Sequence, residues 1–158
     1  MKKIISINRR LNIFKKKTIS VPGDKSLSIR FIILSSLSKG KCTAYNILKS
    51  EDVINAINCI RKLGIKIKIQ KANCEVYGQG LFGFKYKKNI VLDAGNSGTF
   101  ARLILGLLIK SPYYIKLIGD KSLSKRDFER VISPLQKMGA NFKVNKKKTL
   151  PLQIIGSD

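Results

Sequence analysis

Apolar and polar positions change period repeatedly along the chain, and each change marks an element. Lys17-Thr18-Ile19-Ser20-Val21 alternates and ends at Pro22-Gly23-Asp24, which predicts a strand running into a turn. From Ser26 to Leu37, Leu27, Phe31, Ile32, Leu34 and Leu37 recur at helical spacing, and Gly40 stops the run. Lys41 to Asn46 reads as a short strand. Ser50 is placed as an N-cap, with Glu51 and Asp52 at the positive end of the helix dipole; Val53, Ile54, Ala56, Ile57, Ile60 and Leu63 form one face, and Gly64 ends it. Ile65-Lys66-Ile67-Lys68-Ile69 alternates as a half-buried strand, and Cys74 to Val91 reads as hairpin and loop. Asn96-Ser97-Gly98-Thr99 leads into a helix from Phe100 to Ile109, and Tyr113 to Ile118 is a strand turned by Gly119-Asp120. Ser124-Lys125-Arg126-Asp127 resembles a capping box opening a helix that ends near Gly139; Asn141–Asn145 and Leu152–Ile155 are the last strands. The fold class is α/β, with short connections and no linker.

Composition adds a strong charge. The 158 residues hold 32 Lys+Arg against 9 Asp+Glu, a net +23. The excess is 25 Lys against 7 Arg, accompanied by 23 Ile and 10 Asn. These are residues of A/T-rich codons, so nucleotide bias explains the enrichment without a ligand. Arg, the preferred reader of bases and phosphates, is the scarce cation. The Lys15–Lys17 and Lys146–Lys148 clusters are read as solvated faces. No apolar run approaches the roughly 18 residues of a transmembrane helix, and the N-terminus lacks the apolar stretch and cleavage site of a signal peptide. A cytoplasmic location is expected. Cys42, Cys59 and Cys74 are widely spaced and the chain has no His, so reduced structural thiols are expected and a zinc site is not. The missing His also removes the commonest general base.

One octapeptide occurs almost twice. Gly23-Asp24-Lys25-Ser26-Leu27-Ser28-Ile29-Arg30 returns 96 positions later as Gly119-Asp120-Lys121-Ser122-Leu123-Ser124-Lys125-Arg126, with seven of eight positions identical. Either copy alone is ordinary turn-and-cap vocabulary. Together they suggest a structural unit used more than once, each copy following a strand and entering a helix. The chemistry available is anion binding: glycine admits close backbone approach, the helix N-terminus offers free N–H groups, and Lys25, Arg30 and Ser26 add donors. Asn96-Ser97-Gly98-Thr99 is a third helix start of this kind, and all three are expected along one sheet edge. Neither a P-loop nor a Rossmann glycine pattern is present.

Pro22 to Arg30 resembles a signature of the 3-phosphoshikimate 1-carboxyvinyltransferase (EPSP synthase) family. Gly95-Asn96-Ser97-Gly98-Thr99 with Arg102-Leu103 resembles a second. Gly119 to Arg126, continuing through Arg130-Val131, Pro134-Leu135 and Met138-Gly139-Ala140, resembles a third. The sister UDP-N-acetylglucosamine enolpyruvyl transferases have Lys-Asn where this chain has Lys25-Ser26.

The resemblance implies repeated βαβαββ units in an inside-out α/β barrel, of which this chain is part of one domain. Residues 1–18 would be a strand segment joining a second domain, and residues 19–158 an incomplete substrate-binding domain of about two of three units. The implied reaction transfers the enolpyruvyl group of phosphoenolpyruvate to the 5-hydroxyl of shikimate 3-phosphate and releases phosphate. It needs no metal or organic cofactor, and the implied partners are these two small molecules rather than nucleic acid or membrane. By motif, Lys25 touches both substrates, Ser26 and Arg30 bind shikimate 3-phosphate, and Gly98 with Asn96, together with Arg126, binds phosphoenolpyruvate. The proton-handling residues lie beyond these motifs, so no catalytic residue is assigned. A monomer is implied for the full-length protein, and an inactive, poorly stable chain for the 158 residues alone. A truncated relic without activity and a basic nucleic-acid-binding module are the alternatives. Two positions depart from the family pattern: Ile29 stands in place of His, and Asp127 in place of Pro, where it serves the following helix N-terminus. Gly98 keeps the small residue associated with glyphosate sensitivity.

Overall fold

In the computed structural model, which describes residues 18–156, the chain runs α1 (Lys25–Ser36), β1 (Lys39–Ala44), α2 (Glu51–Lys62), β2 (Lys66–Gln70), β3 (Asn73–Gln79), β4 (Val91–Asp93), α3 (Gly98–Leu107), β5 (Ile115–Ile118), α4 (Glu129–Lys137), β6 (Asn141–Lys143) and β7 (Leu152–Ile155). Short 3₁₀ turns follow α3, at Leu108–Lys110, and precede α4, at Leu123–Lys125. The first sheet has the order β1-β3-β2 and is antiparallel; the second has the order β4-β5-β7-β6, with β4 and β5 parallel and the remainder antiparallel.

The second sheet with α3 and α4 is one complete βαβαββ unit, and the first sheet with α1 and α2 repeats all of it but the opening strand. Both units close their second helix in the same way. Gly64 (φ +90°) and Gly139 (φ +97°) take the left-handed conformation that an L side chain resists. Gly64 N–H donates to Arg61 C=O and Ile65 N–H to Ile60 C=O; Gly139 and Ala140 repeat the pair with Gln136 and Leu135. These two glycines are 75 positions apart, and the starts of α1 and α3 are 73 apart. The octapeptide's 96-residue spacing is therefore not the period of the fold. Its first copy precedes the first helix of a unit and its second copy precedes a second helix, so the two sit at non-equivalent junctions.

Several expectations need correction. Thr18–Val21 forms no strand, and Ile19 and Val21 are exposed, because alternation makes a strand only where a neighbour satisfies the backbone, and none lies alongside among the described residues. Residues 1–17, which hold most of the expected N-terminal segment and Lys15–Lys17, lie outside the described residues. The buried face of α1 is Ser28, Ile29, Ile32, Ile33, Ser35 and Ser36, while Leu27 and Leu34 point outward at 68% and 65% exposure. Apolar residues are spread over every side of this helix, so periodicity does not choose its face. Its serines can be buried because their hydroxyls donate to carbonyls of their own turn: Ser28 to Asp24 (2.6 Å), Ser36 to Ile33 (2.6 Å) and Ser35 to Phe31. Ser124 does not open α4; its hydroxyl donates to Gly119 C=O, and the Asp127 carboxylate instead accepts Glu129 N–H at 2.7 Å.

The helices tie the two sheets together. Helix α1 packs on α2, α3 and β3, α2 reaches β4, and α4 packs on α3 and β6. One continuous apolar core results, including Ile29, Ile57, Ile60, Leu92, Phe100, Ile104, Leu117, Phe128 and Ile154.

Candidate anion-binding site

Parallel β4 and β5 end side by side, at Asp93 and Ile118, and the chain leaves both toward helix starts. The pairing continues past the strands: Ala94 N–H donates to Ile118 C=O and Asp120 N–H to Gly95 C=O, at 2.9 and 2.8 Å. The loops after these strands are thus held against each other at the carboxyl edge of the sheet, where open α/β sheets place ligands.

Three side chains converge there, Asn96 from one loop and Asp120 and Arg126 from another, 24 and 30 residues further along. Arg126 donates to Asn96 Oδ1 at 2.9 Å, and Asn96 Nδ2 donates to Asp120 Oδ2 at 2.7 Å. Gly98 is the first residue of α3, whose N-cap Ser97 accepts Phe100 N–H at 3.3 Å. A Cβ built on Gly98 would lie 2.8 Å from Arg102 Nη1 and 2.9 Å from Arg126 Nη1, so two guanidinium groups flank the backbone at this helix start. Arg102 also donates to Asp127 C=O at 3.1 Å and stacks on the Phe128 ring 5.0 Å away, fastening the Arg126 loop to α3. Beside Arg126 an open hollow of about 610 Å³ is lined by Asp120, Lys121, Ser122, Lys125 and Arg126. Four cations (Arg102, Lys121, Lys125 and Arg126) against the one carboxylate of Asp120, with a helix N-terminus beside them, give this edge chemistry suited to anions.

The first motif lies on the other unit. Asp24 caps α1, accepting Leu27 N–H at 2.7 Å, as Asp120 accepts Leu123 N–H at 2.7 Å. Lys25, in the first turn, donates to Asp52 of α2 at 2.8 Å. Ser26 is half-buried and Arg30 exposed on the same helix. The Ser28 hydroxyl accepts Leu48 N–H at 3.1 Å, pinning α1 to the segment before α2. The three helix starts therefore do not share one sheet edge: two belong to the β4–β5 edge and the first accompanies the β1-β3-β2 sheet.

The model of the family described as EPSP synthase (3-phosphoshikimate 1-carboxyvinyltransferase) matches residues 14–158. The chain belongs to this family. It is 41% identical over 144 residues to a 3-phosphoshikimate 1-carboxyvinyltransferase of Thermoanaerobacter sp. (strain X514), covering 91% of this chain and 34% of that protein. With the protein of that name from Syntrophomonas wolfei it shares 43% over 140 residues, 89% of this chain and 32% of the other. A solved EPSP synthase of Acinetobacter baumannii superimposes with a TM-score of 0.81 at 36% identity, over 87% of this chain and 31% of that one. The chain thus spans about a third of the length of the relatives it matches.

As a member of the EPSP synthase family, the chain carries its first motif on α1 and brings its second and third motifs into one hydrogen-bonded site. Asn96, Gly98 and Arg126 meet; Lys25, Ser26 and Arg30 share the first two turns of α1. Three further residues at these contacts carry no sufficient signal in the sequence. Asp120 was legible only as a turn residue, Arg102 only as part of a motif, and Asp52 only as a dipole partner. The four-residue step from Gly98 to Arg102 on one helix was the available signal for Arg102. Nothing local pairs Asp120 with Asn96 or Asp52 with Lys25, since these contacts span 24 and 27 residues.

Proposed function

We propose that this chain forms part of the substrate-binding machinery of an enolpyruvyl transferase. That enzyme joins phosphoenolpyruvate to the 5-hydroxyl of shikimate 3-phosphate with release of phosphate. The observation that carries the reading is the meeting of Asn96, Gly98 and Arg126 at the carboxyl edge of two parallel strands. The substrate hydroxyl loses its proton and adds to C2 of phosphoenolpyruvate while C3 gains a proton; the tetrahedral intermediate then gives up a proton from C3 as phosphate leaves C2, which restores the double bond of the enolpyruvyl group. Both steps keep high negative charge close to the reacting carbon, so the protein's task is to position and neutralise anions. Arg126 and the α3 N-terminus hold phosphoenolpyruvate beside Gly98, where the absence of a side chain lets the Arg102 and Arg126 guanidinium groups close on the helix start. Ser26 and Arg30 hold shikimate 3-phosphate, and Lys25 reaches both substrates once released from Asp52. Residues 19–158 supply this half of the site, residues 1–18 lead to a second domain, and the complete protein is a cytoplasmic monomer working without metal or organic cofactor.

The test is a chimera in which residues 14–158 replace the matching segment of the Thermoanaerobacter relative. It is expected to release phosphate from phosphoenolpyruvate only when shikimate 3-phosphate is present, and to lose this on Arg126→Ala. A folded chimera with no turnover, or one indifferent to Arg126, overturns the reading.

A further inference from the structure

The two copies of the octapeptide differ in what their aspartates do. In both, one carboxylate oxygen caps the following turn, through Leu27 N–H in the first and Leu123 N–H in the second. Among the described residues, only in the second does the other oxygen accept a long-range hydrogen bond, from Asn96 Nδ2 at 2.7 Å. We propose that Asp120 is a positioning residue: it sets the orientation of the Asn96 amide and, through it, the pose of the Arg126 guanidinium against Gly98. This rests on the reading of Arg126 as a ligand of phosphoenolpyruvate.

A primary amide has a donor end and an acceptor end that differ little in shape, so its orientation is decided by its neighbours. Asn96 lies between a group that only accepts, the Asp120 carboxylate, and one that only donates, the Arg126 guanidinium. One orientation satisfies both; the flipped one sets the amide NH₂ against Arg126 and its oxygen against a carboxylate. With both bonds made, Arg126 is held at 2.9 Å on one side, while its Nη1 sits against the Gly98 backbone. Asp120 is itself fixed three ways: its carboxylate by Leu123 N–H, its N–H by Gly95 C=O, and its C=O by Ser124 N–H. The hydrogen-bonded series from β5 to α3 and back to the Arg126 loop therefore has its fixed end at Asp120. The charge of Arg126 remains available to a ligand because the Asp120 carboxylate is spent on the amide rather than on the guanidinium.

The discriminating variant is Asp120→Asn. Its side-chain oxygen still caps Leu123 N–H, but it turns an NH₂ toward the NH₂ of Asn96, so capping survives and the amide loses its orientation. In the chimera that carries residues 14–158, side-chain NMR is expected to show the Asn96 Nδ2 signals shifting and the Arg126 guanidinium losing order, with the Leu123 amide and the melting temperature close to wild type. The double variant Asn96→Asp with Asp120→Asn places a donor opposite an acceptor again, and is expected to restore the order of Arg126. Phosphoenolpyruvate titrated into the chimera with shikimate 3-phosphate present is expected to bind about tenfold more weakly to Asp120→Asn than to wild type, the size of one lost hydrogen bond to a charged group. An Arg126 as ordered in Asp120→Asn as in wild type overturns the positioning role. A failure of the double variant to restore that order overturns it as well. A wild-type chimera that shows the expected NMR behaviour but takes up no phosphoenolpyruvate overturns the anion-site reading instead, leaving the role of Asp120 in holding Arg126 intact.

Discussion

Gly98→Ala separates what the fold requires from what the site requires. The backbone of Gly98 lies outside the left-handed region, so alanine meets no conformational penalty there. The new methyl would meet Arg102 Nη1 at 2.8 Å and Arg126 Nη1 at 2.9 Å, with Leu123 Cδ1 at a comfortable 3.7 Å. Ordinary contact begins near 3.4 Å, so each guanidinium must retreat by about 0.5 Å. Both clashes are with the far ends of flexible side chains, which swing rather than compress. Their cost to folding is of the same size as the gain from replacing glycine in a helix, up to about 1 kcal/mol. The melting temperature should stay within a few degrees of wild type. The anion site loses more. The Arg102–Gly98 carbonyl bond is already long at 3.4 Å, and Arg126 is pushed from its place beside the helix N-terminus. Losing one hydrogen bond between charged partners costs about 1.5–3 kcal/mol, or roughly 10- to 150-fold in phosphoenolpyruvate affinity. The assay is calorimetric titration of phosphoenolpyruvate into wild-type and Gly98→Ala chimeras, with thermal melts of both. Equal affinities refute the placement of the ligand beside Gly98, and a melting point lowered by more than about 10 °C refutes the claim that only mobile side chains are displaced.

Other positions give sharper stability outcomes. Gly23→Ala is the opposite case: its Cβ would fall 2.0 Å from the Asn46 carbonyl oxygen, a backbone atom that cannot swing away, so denaturant unfolding should show a loss of about 3 kcal/mol or more. Ser97→Ala removes the cap on Phe100 N–H and should cost about 1 kcal/mol, whereas Ser50→Ala should be within about 0.5 kcal/mol of wild type. Among the described residues the buried Ser50 hydroxyl has no partner and caps nothing, so unequal losses in the reverse order would contradict this. Burial pushes the Cys59 thiol up to about 12 and raises Cys74 as well, while Cys42 is partly exposed. A thiol reagent at pH 8 should therefore label Cys42 first and the other two only on unfolding. Because the folded Cys59 keeps its proton when the unfolded one has lost it, stability should fall as pH rises above the ordinary thiol range near 9. Rapid labelling of Cys59 in the folded chain would contradict its burial.

Local chemistry was enough to reveal the elements that make their own case. The α2 helix has Glu51 and Asp52 in its first turn, Arg61 and Lys62 in its last, an apolar face between and Gly64 at its end, and it was legible with its boundaries. The alternation of Ile65–Ile69 gave β2, displaced by a single residue. The starts of α1 and α3 were legible because Asp24 and Ser97, small polar residues before an apolar run, cap the first turn. The sequence failed wherever a signal had more than one tertiary solution. Helix α1 has apolar residues on every side, so only packing on α2, α3 and β3 decided that Ile29, Ile32 and Ile33 face inward and Leu27 outward. Thr18–Val21 alternates as a strand should, yet a strand exists only with a neighbour to hydrogen-bond. The octapeptide advertised a period the fold does not have, since an Asp cap serves equally well at two different junctions of a unit. The motifs themselves were set by sequence. That Arg126, Asn96 and Asp120 form one series, and that Gly98 lies between two arginines, was decided by the parallel pairing of β4 with β5, which brings loops far apart in the chain to one edge. Local pattern carries no information about which edge meets which, because the free energy of that choice lies in the shared core and the strand ladder rather than in any single segment.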